Sequence, residues 1–324
     1  MVGAAQMKKY APVVVYTYNR LEHLKKTIAA LQTNHLARDT DIFVVSDGAK
    51  DEVNKMRVKK LREFVDSIAG FRTVNRIYHQ ENVGVVRSVQ IAEQLILSNY
   101  DRLITLEDDI VTSRNFLDFI NAGLDFYEDS DRTFAVAGYC PPLRIPQGYG
   151  FDSWNCPWHS PWGYGIWKKK YGIIDIERNP LHKIKAIKSK YAFLKKYGDF
   201  FIETLDLDDR GVMVAGDARL AGQMLLNGVS AVMPSKSKVK NIGMDGSGVH
   251  CAVTDQFETE LDDGEQRVFT FSADELNFNN QMLEEYTHFM NGDQFDRLKR
   301  RVGRNMRRIE LFRKMKRYLS GSRI

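Results

Sequence analysis

Four short apolar runs, three of them followed by a helical pattern, dominate the first part of this chain. "APVVVYTYN" (11–19) precedes Leu21, Leu24, Ile28 and Leu31 at helical spacing, and "DIFVVSDG" (41–48) precedes a charged helix carrying Val58, Leu61 and Val65. "RTVNRIYH" (72–79) precedes the helix "VVRSVQIAEQLILSN" (85–99), after which "RLITLEDD" forms a fourth strand. Continuous apolar runs of this kind suit strands buried on both faces. Repeated strand–helix–strand units predict an α/β fold, a mostly parallel, Rossmann-like sheet with right-handed crossovers, flanked by helices. In such sheets a ligand sits beyond the carboxyl ends of the strands.

Those ends collect polar chemistry. Strand one ends at Thr17, Tyr18, Asn19 and Arg20, strand two at Asp47-Gly48, and strand three leads into "ENVGVVRS". Strand four ends in Glu107-Asp108-Asp109. Three adjacent carboxylates after a buried strand repel one another and lose hydration, so something must compensate; a divalent cation, Mg²⁺ or Mn²⁺, is the first suspect. If the strand continues, Glu107 and Asp109 point one way and Asp108 the other; if it has ended, all three face the cleft. The alternative is a solvated turn capping the next helix. Asp47 is placed to accept from a base N–H or a sugar hydroxyl, although Asp-Gly is also a common turn. Arg20 and Arg87 are candidates for a diphosphate or plain surface arginines, and Gly84 opens a helix whose backbone N–H groups can approach phosphate.

After "FAVAGY" (134–139) the segment running to "SPWGYGIWKKKYG" is rich in Trp, Tyr, Pro and Gly, which predicts irregular structure and an aromatic-lined pocket. Trp158, Trp162 and Trp167 are either core or a sugar-stacking platform. A basic helical stretch from Lys183 to Tyr197 follows, then the helix "AGDARLAGQMLLNG" with Asp217 at its start and Gly228 past its end, then the strand "VSAVMPS". Asp217 reads as a helix cap or as a general base for an acceptor hydroxyl. His250, in "NIGMDGSGVHC", reads as a metal ligand, a diphosphate contact or an ordinary loop histidine.

The 324 residues carry a net charge of +5, but the tail from Arg297 to Ile324 holds twelve Lys/Arg against one acid, Glu310. That tail is +11 and the rest of the chain −6, so the basic balance belongs to the tail. Its apolar residues, Leu298, Val302, Met306, Ile309, Phe312, Met315 and Leu319, recur every three or four positions. This is a basic amphipathic helix suited to an anionic membrane surface, or to packing on the body; an acidic body without a reading motif argues against nucleic acid. Three scattered cysteines give neither a disulfide framework nor a metal knuckle. With no apolar leader and no long apolar span, the expectation is a cytoplasmic protein, peripheral at the inner face of the membrane. The expected organisation is two halves of one domain (1–139 and 140–280) followed by the basic tail (281–324).

The succession "VVVYTYNR", "FVVSDGAK", "NVGVVRS", "LITLEDDIVTSRNFLDFI", "SPWGYGIW", "GDARLAGQMLLNG" and "VKNIGMDGSGVH" resembles the nucleotide-sugar-dependent glycosyltransferases of the GT-A fold. It is most similar to the family 2-like bacterial sugar transferases and the N-acetylglucosaminyltransferase I type, over roughly residues 11–250. The resemblance implies that Asp109 binds the divalent metal and that Glu107 and Asp108 contact ribose and the donor sugar. It also implies Asp47 on the uracil of a UDP-sugar, Arg20 near the base or phosphates, and a loop with Trp162 and Gly163 bordering the sugar. Asp217 matches the base of inverting members, although Gly216-Asp217-Ala218 departs from the family's frequent Trp-Asp or Asp-Asp pair. The resemblance makes 1–139 the nucleotide-sugar-binding half and 140–280 the acceptor-binding and catalytic half, with a hydroxyl of a glycan or lipid-linked acceptor as the group that receives the sugar. A sugar-1-phosphate nucleotidyltransferase is the nearer alternative, but it wants a Gly-rich loop after strand one, and "YTYNRLEHL" has no glycine. A catalytically inactive sugar- or membrane-binding module is the other.

Overall fold

The computed structural model describes residues 10–246, 254–274 and 278–291. The expected alternation is present: β1 (Val13–Thr17), α1 (Leu21–Gln32), β2 (Asp41–Ser46), α2 (Glu52–Asp66), β3 (Thr73–Tyr78), α3 (Val85–Leu97) and β4 (Arg102–Glu107). A short β5 (Ile110–Thr112), α4 (Phe116–Phe126) and β6 (Thr133–Ala137) follow. The second half contributes β7 (Ser153–Cys156), β8 (Tyr164–Trp167), α5 (Leu181–Ala186), α6 (Lys188–Tyr197), α7 (Asp199–Asp209) and α8 (Gly216–Asn227). It closes with β9 (Ser230–Pro234), β10 (Val239–Asn241) and α9 (Asn280–Asn291).

Among the described residues eight strands form one sheet in the order β3-β2-β1-β4-β8-β6-β9-β7, and β5 pairs separately with β10. The first half supplies the parallel run β3-β2-β1-β4, and β6 pairs parallel with β9. Antiparallel β8 lies between β4 and β6, so strands from both halves share the sheet. From β1 the chain builds outward through β2 and β3, then returns to place β4 on the other side of β1. That reversal opens a crevice at the carboxyl ends of β1 and β4, the ligand-binding position of an open α/β sheet.

Strand alternation divides the core. Val13 and Val15 of β1, with Ile104 and Leu106 of β4, pack with Leu24, Ile28 and Leu31 of α1. Val14 and Leu103 face the opposite side, with Ala92 and Ile96 of α3 and Met224 of α8. A third cluster, with Trp154, Trp158, Leu194, Met282 and Leu283, fills the far end.

Two expectations change. The aromatic segment is not wholly irregular, because it contains the buried strands β7 and β8. Four-residue strands among Gly and Pro carry little periodicity; neighbouring strands supply their hydrogen bonds. The basic helical stretch is two helices, broken at Ile187, whose backbone is extended. His250, Cys251 and residues 292–324, the strongly basic part of the expected tail, lie outside the described residues, whereas its first residues, 281–291, belong to α9. Within them, no helix is long and apolar enough to cross a membrane.

Candidate functional site

β4 ends at Glu107, and Asp108 and Asp109 form a turn before β5. Glu107 therefore keeps the facing of Leu103, toward the side where α8 packs, while the two aspartates turn inward toward α1. Asp108 and Asp109 are buried; Glu107 is exposed. The triplet is thus split between two sides of the sheet edge.

The inward side is a charge cluster with named donors. Asp108 accepts the Thr17 hydroxyl at 2.8 Å on one oxygen and pairs with Arg20 through the other. Its backbone carbonyl takes the Thr27 hydroxyl at 2.7 Å. Arg20 also reaches Asp109 Oδ2 at 2.8 Å, so one guanidinium bridges two buried carboxylates. Burial works against the Arg20 charge, but Asp108 and Asp109 outweigh it and hold the guanidinium protonated above its usual range. Burial likewise raises Asp108 despite Arg20 and Thr17.

Asp109 is held from behind. Its carbonyl accepts the Ile242 N–H at 2.9 Å, and a Cβ built on Gly243 would lie 2.0 Å from Asp109 Oδ2, so only glycine lets the backbone pass there. Among the described residues Asp109 Oδ1 is buried without a hydrogen-bond partner, and a cation or an ordered water would satisfy it. Among the described residues no three His, Cys, Asp or Glu side chains form a cage. Mg²⁺ or Mn²⁺ nevertheless fits a single carboxylate oxygen, because these ions fill most of their shell with water and substrate phosphates.

On the outward side, Asp217 sits in the first turn of α8, whose cap residue is Ala215. It makes no capping bond, and among the described residues its carboxylate has no hydrogen-bond or ion-pair partner. Its charge falls close enough to Glu107 to raise that group further. Both residues reach solvent. Desolvation, then repulsion from Asp109 and Asp108, pushes Glu107 up to about 7, and desolvation raises Asp217. Residues 110 positions apart are brought together in this way.

Two residues that sequence reading missed fix Asp217 in place. Asp208, at the end of α7, accepts both arms of Arg219 at 2.7 Å, the Asn179 amide at 2.7 Å and the Ala215 N–H at 3.0 Å. This anchors the start of α8. Nothing in the sequence singles out Asp208 from its acidic neighbours; only its burial does.

Asp47 has a full set of partners. Oδ1 accepts from the Gly48 and Val83 N–H groups, and Oδ2 from Gly84 N–H and the Asn82 amide, all at 2.8–3.0 Å. The carboxylate staples the 82–84 loop to the end of β2. A Cβ on Gly48 would meet the Glu81 carbonyl carbon at 2.2 Å, so the two loops touch through backbone. Arg62 ties the same strand ends by donating to the carbonyls of Ser46, Asp47 and His79.

The rest of the crevice rim is linked as well. The Tyr18 hydroxyl accepts the Lys50 N–H at 2.9 Å and the Asn19 amide bonds Asn54 at 2.7 Å, joining the loops after β1 and β2. Arg87 is exposed on the first turn of α3. Trp158 and Trp167 are core, whereas Trp162 is half-buried between Tyr139 and Phe257, with ring centroids at 4.7 and 5.5 Å. Gly163, next to it, packs on Leu106 and Val239 with a positive φ.

No protein-family model matches the chain, and no curated protein matches it. Among solved structures it is similar to the mannosyltransferase PcManGT from Pyrobaculum calidifontis in complex with GDP-Man and Mn²⁺. The two are 16% identical over 49% of this chain and 46% of that one, with a TM-score of 0.34. It is also similar to S. aureus TarS, at 11% identity over 73% of this chain and 37% of the other, with a TM-score of 0.40. The match thus spans less than half the length of each of these structures, and the likeness is one of strand and helix arrangement.

Proposed function

We propose that this protein is a metal-dependent, inverting glycosyltransferase that moves a sugar from a nucleoside diphosphate sugar, a UDP-sugar, to a hydroxyl of a glycan or lipid-linked acceptor. The supporting observation is the pairing of two unlike carboxylate sites at the β1–β4 crevice. Among the described residues Asp109 offers a buried, unpartnered oxygen on one side, and Asp217, close enough to Glu107 for its charge to be felt, stands unpaired on the other.

Each side suits one part of the reaction. A divalent cation held at Asp109 would neutralise charge growing on the departing diphosphate. Arg20 provides bidentate donors for phosphate oxygens, and the Gly84 opening of α3 provides backbone N–H groups. The anomeric carbon acquires oxocarbenium character, as in glycoside hydrolysis. Asp217, with its pKa raised and no competing partner, takes the acceptor proton as that oxygen attacks from the face opposite the leaving group. Attack from that face inverts the anomeric configuration. Half-buried Trp162 borders the sugar with an aromatic face. The basic tail would hold the enzyme at the cytoplasmic face of an anionic membrane.

A panel of nucleotide sugars, assayed for donor hydrolysis with and without Mn²⁺, tests the reading. Metal-stimulated release of UDP from one donor, abolished in Asp109→Ala at unchanged folding, is the expected result. An Asp109→Ala protein that turns over normally sinks it.

A further inference from the structure

Arg20 already does in this structure what a metal would do. It bridges Asp108 and Asp109, while Thr17 donates to the second Asp108 oxygen, so both Asp108 oxygens already have a donor. Of the four carboxylate oxygens in this pair, Asp109 Oδ1 has no partner among the described residues. A cation arriving there meets a guanidinium held 2.8 Å from the other oxygen of the same carboxylate. Two positive charges at such separation repel, and little water intervenes to screen them.

Arg20 is also placed to leave. It stands at the β1–α1 junction with a non-helical backbone (φ −101°, ψ 71°), and its side chain is 21% exposed, against 4% and 3% for its two partners. The grip of α1 on the turn runs separately, through Thr27. Its planar fork matches phosphate oxygens as well as carboxylates.

We propose that Arg20 gates divalent-cation binding. With the donor site empty its guanidinium serves as counter-ion to Asp108 and Asp109 and opposes the metal; a nucleoside diphosphate draws it onto phosphate oxygens and releases Asp109 to the cation. The proposal rests on the nucleoside-diphosphate reading of the crevice. Nucleotide and metal then bind as a coupled pair, and the coupling passes through one side chain.

Mn²⁺ binding to the full chain, followed by the paramagnetic resonance of free Mn²⁺ with and without saturating UDP, tests this without any turnover. In the wild-type protein UDP strengthens Mn²⁺ binding. Arg20→Gln raises nucleotide-free Mn²⁺ affinity by about tenfold and shrinks the effect of UDP, within the usual range of such couplings. Arg20→Lys, which keeps the charge but not the fork, lies between. Unchanged or weaker nucleotide-free Mn²⁺ binding in Arg20→Gln overturns the gate. If that variant does not fold, Arg20→Lys decides, because a nucleotide-free affinity equal to wild type also overturns it. Absence of UDP binding by wild type defeats the functional reading and the gate with it, whereas UDP binding with Arg20-independent Mn²⁺ binding defeats the gate alone.

Discussion

Thr27, buried within α1, donates a 2.7 Å hydrogen bond to the backbone carbonyl of Asp108, so the helix that follows β1 holds the turn that carries the acidic cluster. Replacing it with valine keeps the shape and leaves that carbonyl unpaired in the core. Thr27→Val is expected to lower stability by about 1–3 kcal/mol in urea unfolding and to weaken UDP binding in the presence of Mn²⁺. Thr27→Ser, which restores the hydroxyl, recovers most of both; equal behaviour of the two variants refutes the role.

Asp217→Asn removes the proposed base with minimal change of shape. Its kcat is expected to fall by about 10²–10⁴, while the donor KM stays near wild type, because donor contacts lie on the other side of the crevice. A kcat within a factor of two of wild type places the base elsewhere.

Glu107 gives a pH signature. Its carboxyl is pushed up to about 7 in the fold, against 4.5 for the free group, by desolvation and by Asp109 and Asp108. The folded state therefore binds the proton more tightly, and stability falls as pH rises from about 4.5 through about 7, then levels off. Glu107→Gln removes that penalty. Because Glu107 reaches solvent, much of the repulsion is screened, and the gain in Tm at pH 8 is expected to be roughly 2 °C. The gain disappears below pH 4.5, where wild-type Glu107 is neutral in both states. Calorimetric scans at both pH values check the sign.

Arg219→Met leaves Asp208 buried without its partner, an expected loss of about 3–5 kcal/mol near neutral pH. Arg219 foremost holds the Asp208 carboxyl below the usual 3.8, so the pair's contribution is present above that value and is lost as pH falls through the depressed one. The gap between the proteins should narrow in acid, and kcat should fall with the displacement of Asp217. A gap that widens in acid, seen by denaturant unfolding at pH 7 and pH 3, contradicts the assignment.

Asp47→Asn turns an acceptor of four hydrogen bonds into a group that meets those donors with an amide. Faster hydrogen exchange in residues 79–86 and a stability loss of about 2 kcal/mol are expected. UDP and GDP should weaken by the same factor, since the loop rather than a base contact is lost. Selective loss of one nucleotide would make Asp47 a base reader.

The strand runs ending at Thr17, Ser46 and Glu107, and the helices between them, were legible because burial on both faces demands apolar sequence, a local property. The end of β4 as an acidic edge was legible for the same reason. β8 was not, because four residues paired antiparallel between β4 and β6 depend on partners distant in sequence. Local apolar runs and the acidic triplet after the fourth of them are enough to imply an α/β sheet with carboxylates at its crevice. Their division is a tertiary property, because the turn after Glu107 sends Asp108 and Asp109 to Arg20 at the β1–α1 junction and leaves Glu107 on the side of the sheet where α8 carries Asp217. Charge partners are set by packing across the sheet, and packing is not written in any one segment.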